Sequence, residues 1–68
     1  MQIKYFPDTD TLLVRFNDKQ IVETRDIDEN VNIDLDESGG FVNMTVEHAK
    51  RRTDVTSFSF QHVVGDVH

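Results

Sequence analysis

At 68 residues the chain holds one domain and excludes a second, and its lack of cysteine excludes disulfides, a staple many small folds use. Thirteen acidic residues against seven basic ones give a net charge of -6, a field that repels phosphate backbones and disfavours nucleic acid as a partner. No apolar run approaches the roughly 20 residues that span a bilayer, and Met1-Gln2-Ile3-Lys4 carries no signal pattern, so a cytoplasmic protein without membrane contact is expected.

Ile3 and Tyr5 share one face of a first strand, with Gln2 and Lys4 on the other. Pro7 suits the end of that strand, and Asp8 and Asp10 suit a turn, where their carboxylates bond nearby amides. Leu12, Val14 and Phe16 then alternate with Leu13 and Arg15 in a second strand. Asn17-Asp18 predicts a tight hairpin into a third strand from Lys19 to Asp26, with a bulge where Ile21 and Val22 are adjacent. Asp28-Glu29-Asn30 marks the next turn.

Val31, Ile33 and Leu35 alternate cleanly with Asn32, Asp34 and Asp36, the pattern of a half-buried strand. Glu37-Ser38-Gly39-Gly40 predicts a hairpin loop, and Val42, Met44 and Val46 form the inner face of a fifth strand. His48 to Arg52 predicts one or two helical turns, whose Lys50, Arg51 and Arg52 suit a helix C-terminus. Val55 to Val64 predicts a sixth strand, with Phe58, Phe60 and Val64 on one parity. The expected fold is mainly β: an antiparallel β-meander of five to six strands with one short helix after strand five. Residues 1–64 form the single domain, and 65–68 a frayed tail.

Tyr5-x-Pro7-x-x-Asp10-x-Leu12-x-Val14-x-Phe16, then Val31-x-Ile33-Asp34-x-Asp36-x-x-Gly39-x-Phe41-Val42 and Ala49, resembles a family of very small bacterial proteins, domain of unknown function 2283. The resemblance covers residues 3 to about 51. It implies a β-meander with a short helix, no assigned catalytic residue, and an antitoxin-like role toward small basic toxins.

Asp34-x-Asp36-x-Ser38-Gly39 copies the first half of an EF-hand loop, but the twelfth position is Thr45, not a bidentate glutamate, and the flanks alternate as strands. His48, His62 and His68 have no metal-ligand spacing, so no metal and no cofactor are expected. Ser57 and Ser59 lack a glycine elbow, and no nucleophile, base and acid stand together, so no enzyme activity is expected.

The reading that remains is a small acidic protein-binding module, most specifically an antitoxin-like neutraliser of a small basic partner. The alternative is a structural homo-oligomer, or a small-ligand-binding domain without catalysis. Asp26, Asp28, Glu29, Asp34, Asp36 and Glu37, around two turns, are the expected acidic contacts. Phe58 and Phe60 are the expected apolar anchor. The Phe58-Ser59-Phe60 stretch either completes the core or pairs with another chain. Self-association is expected, because one wide apolar sheet face is under-covered at this length.

Overall fold

The structure is a computed structural model that describes residues 1–64. Its strands are β1 (Gln2–Phe6), β2 (Thr11–Arg15), β3 (Glu23–Asp28), β4 (Val31–Leu35) and β5 (Phe41–Glu47), followed by a 3-10 turn at Ala49–Arg51. They form one antiparallel sheet in the order β1-β2-β5-β4-β3. A β1–β2 hairpin and a β3–β4–β5 meander are joined where β2 pairs with β5. The mainly β, antiparallel expectation holds with five strands, and the short helix is this single 3-10 turn.

Asn17-Asp18 does not close a hairpin, because β2 and β3 are not neighbours. The Asn17 side-chain amide donates to the Phe41 carbonyl at 2.9 Å, and its oxygen accepts the Lys19 N–H at 3.0 Å. These bonds hold the chain along the β4–β5 end as it crosses toward β3. That strand starts at Glu23 rather than Lys19, with its irregularity at Asp26/Asp28. The expected sixth strand is absent, since residues 55–64 have no strand structure. Asp54 turns the chain back locally: its carboxylate accepts the Thr56 N–H at 2.8 Å and the Thr56 hydroxyl at 2.7 Å. The expected frayed tail, 65–68, lies outside the described residues.

Strand register sorts the side chains onto two faces, since directly opposed residues in an antiparallel pair share a face. Ile3, Val14, Met44 and Ile33 lie in one cross-strand row, and Tyr5, Leu12, Val46 and Val31 in the next. Gln2, Arg15, Asn43, Asp34 and Thr24 form a row on the opposite face. The buried apolar residues are Ile33, Leu35, Val42, Val46 and Ala49, so the core is centred on β4 and β5. Val42, at 1% exposure, is its best-enclosed large side chain.

Candidate functional site: the open apolar face

Over β1 and β2 the apolar face is not sealed. Ile3, Tyr5, Leu12, Val14, Phe16 and Met44 floor a groove of about 950 Å³, walled by residues 53–58 and Phe60. The wall chain lies across the face without filling it: Phe58 is 61% exposed and Phe60 62%. A concave apolar surface of this kind is where binding is expected on physical grounds.

Two carboxylates position that wall. Asp10 sits in the left-handed region at φ 55°, where an aspartate is tolerated because its short side chain bonds locally. Its carboxylate accepts the Tyr5 hydroxyl at 2.6 Å and the Lys50 N–H at 3.2 Å, and its carbonyl accepts the Ala49 N–H at 3.0 Å. The β1–β2 turn thus caps the 3-10 turn directly. The bond from Tyr5 holds the Asp10 carboxyl below its ordinary range, and the same bond pushes the Tyr5 phenol up to about 12. On the other side Arg52 donates to Asp28 at 2.9 Å, and Asp28 also accepts the Asn30 N–H at 2.8 Å. The Arg52 guanidinium, then the Asn30 amide, lowers the Asp28 carboxyl. Residue 53 therefore leaves a turn tied to both the β1–β2 and the β3–β4 turns, at one end of the strands.

Asp36 is consumed by its own hairpin. Its Oδ1 accepts the Gly40 N–H at 2.8 Å and both the N–H and hydroxyl of Ser38 at 2.9 Å. These donors, Gly40 first, lower its carboxyl. Gly39 takes φ 84°, and a Cβ on Gly40 would lie 2.9 Å from Asp36 Oδ2. The Asp-x-Ser-Gly-Gly run is thus a turn that needs both glycines.

Asp34 points to the other face. It accepts the Thr24 hydroxyl at 2.6 Å and the Asn43 amide at 3.2 Å, and Asn43 in turn accepts from Arg15 at 3.4 Å. The carboxylates of Asp34 and Asp36 do not converge, and the described residues contain no cluster of three or more metal-ligating side chains.

The six acidic residues named from the sequence do not form one patch. Asp28 and Glu29 stand at one end of β4, with Asp26 just before them on β3. Asp36 and Glu37 stand at the other end, roughly 15 Å away at the rise of a strand. What unites them is the half of the sheet they occupy. Residues 23–37 hold seven carboxylates against Arg25 alone, a net -6, while residues 1–22 are neutral. Arg25 is itself paired with Glu23 at 2.8 Å.

Phe58 and Phe60 do line the groove. The sequence placed Asp10 in a turn and Arg52 at a helix C-terminus, but not the bonds from Tyr5 and Lys50 to Asp10 or from Arg52 to Asp28. Tyr5 and Asp10 stood in the family-like motif, and that was the available signal. No helix among the described residues is long and apolar enough to cross a membrane.

A family model described as "Protein of unknown function (DUF2283)" matches residues 2–50 of the chain. No curated protein and no solved structure matches it.

Proposed function

Because the chain belongs to the family Protein of unknown function (DUF2283), whose description assigns no activity, we propose its function from the surface: a non-catalytic, cytoplasmic protein-binding module. Its specific role on this reading is antitoxin-like neutralisation of a small basic partner. The observation that carries the reading is the open apolar groove on a sheet whose β3–β4 half bears all of the net negative charge. An apolar side chain of the partner seats between the Val14–Met44 floor and Phe58. The acidic half steers a basic protein toward that seat, and charges of this kind act mainly on the association rate. The anchor supplies most of the affinity, as buried aromatic contacts do at interfaces.

The experiment is co-expression with the product of the neighbouring reading frame, followed by binding kinetics on the purified pair. Growth rescue is expected, together with a complex whose dissociation is much faster for Phe58→Ala with Phe60→Ala. Neutralising Glu29 and Glu37 should slow association and leave dissociation nearly unchanged. No rescue and no complex would remove the antitoxin reading. Self-association is the second reading, favoured by the incompletely covered apolar face and by the edge strand β1, which has no register break and a single charge, Lys4.

A further inference from the structure

The sheet has two edge strands, β1 and β3, and they are finished differently. β3 is guarded. All six of its residues are exposed, Glu23, Arg25, Asp26 and Asp28 are charged, and the register breaks between Asp26 and Asp28. Charges and bulges of this kind block strand addition. β1 has no register break, carries Lys4 as its one charge, and meets Pro7 only after its last residue.

The backbone of β1 shows which groups are unpaired. Phe16 donates to the Val42 carbonyl at 2.8 Å, so the alternate residues Val14 and Leu12 also turn their backbone groups to β5. Leu13 and Arg15 then face β1, where they oppose Lys4 and Gln2. That leaves the N–H and C=O groups of Ile3 and Tyr5 pointing out of the sheet. No backbone bond outside the β1–β2 ladder reaches them among the described residues.

We propose that β1 pairs antiparallel with β1 of a second copy, about a two-fold axis through Ile3. This rests on the self-association reading and names its surface. In that register Ile3 opposes its own counterpart, and Tyr5 opposes the partner subunit's Met1. Lys4 opposes the partner subunit's Gln2. A pairing centred on Lys4 would set two ammonium groups face to face, and one centred on Tyr5 would ask the partner subunit's Pro7 for an N–H it lacks.

Charge selects the same edge. Pairing through β3 would bring two halves of net -6 together, whereas the β1–β2 half is neutral. With β1 at the centre of a ten-stranded sheet the two β3 strands stand about 43 Å apart, well beyond the screening length at physiological salt. The two-fold axis keeps both apolar faces on one side, so the two grooves become continuous along Ile3 and Tyr5.

Light scattering over a concentration series should give twice the 7.9 kDa chain mass for the unmodified protein. Ile3→Pro removes an outward N–H without touching the β1–β2 ladder, and should return the mass to one chain with an unchanged circular-dichroism spectrum. Ile3→Cys places the sole thiol on the axis, where opposed Cα atoms about 5.5 Å apart permit a disulfide. It should oxidise to a covalent dimer, while Arg25→Cys on β3 stays reduced. A two-chain mass that survives Ile3→Pro, with Ile3→Cys left reduced, would overturn the β1 edge and leave self-association standing elsewhere. A one-chain mass for the unmodified protein throughout, with no Ile3→Cys cross-link, would overturn both.

Discussion

The two faces of the sheet are finished by different means. On the polar face the central row bonds from strand to strand: Arg15 reaches Asn43, Asn43 reaches Asp34, and Thr24 reaches Asp34. No second layer is required, because a hydrogen bond is satisfied by one neighbour. On the apolar face the same local economy fails. Burial needs covering volume, and a chain of this length has little to give. Ile33, Val42 and Val46 are buried, while Ile3, Leu12, Val14 and Met44 remain in contact with the groove. The sheet therefore ties its central polar row together within one layer and leaves part of its apolar side open.

The sharpest way to break this contrast is to exchange the character of adjacent β4 residues. Ile33→Asp sets a carboxylate at a core position only 8% exposed, at a cost of several kcal/mol, about the whole stability of a small domain. It should leave no cooperative thermal transition. Asn32→Thr, one residue away on the polar face, should change stability by no more than about 0.5 kcal/mol. Equal melting temperatures would mean the faces are assigned the wrong way round.

Asn43→Leu comes next. It strips Asp34 and Arg15 of their shared partner at a position only 7% exposed. A lost buried partner costs about 1–3 kcal/mol. Denaturant titration should register that loss, and an unchanged midpoint would show that the polar row is ornamental.

The smallest of these effects is the pH dependence of the turn that anchors the groove wall. The Tyr5 phenol is raised from its ordinary 10.0 to about 12 by its bond to Asp10. A raised acid contributes stability that is complete below its unfolded value, so the contribution should fade as pH climbs from about 10 to about 12. The lowered carboxyls of Asp10, Asp28 and Asp36 contribute in the opposite sense. Their share is present above the ordinary 3.8 and is lost as pH falls below it. Melting temperature against pH should show both limbs, and Tyr5→Phe should flatten the alkaline one.

Much of the sheet was legible from alternation alone. β1, β2, β4 and β5 each repeat with period two, and their inward residues are the ones named from the sequence. β3 was misplaced because Glu23 to Asp28 has no apolar periodicity. It is a strand because β4 offers it an edge, which is a tertiary cause. Alternation also says nothing about neighbours, so the β2–β5 pairing was out of reach, and Asn17-Asp18 read as a hairpin. Phe58-Ser59-Phe60 shows the converse error, since its period matches a strand but Asp54 turns the chain before it can join an edge. For the site, the two phenylalanines were legible as surplus apolar groups. The Asp10 hub was not, because it joins residues 40 positions apart.

The central claim is that the open apolar face, not the polar one, receives the partner. Methyl NMR of the complex with the neighbouring frame's product tests it within a single strand. Leu12, Val14 and Met44 floor the groove, whereas Leu13 lies on the polar face. The account predicts that binding shifts the methyl signals of Leu12, Val14 and Met44 and leaves those of Leu13 in place. Shifts at Leu13 with the other three unmoved would contradict it.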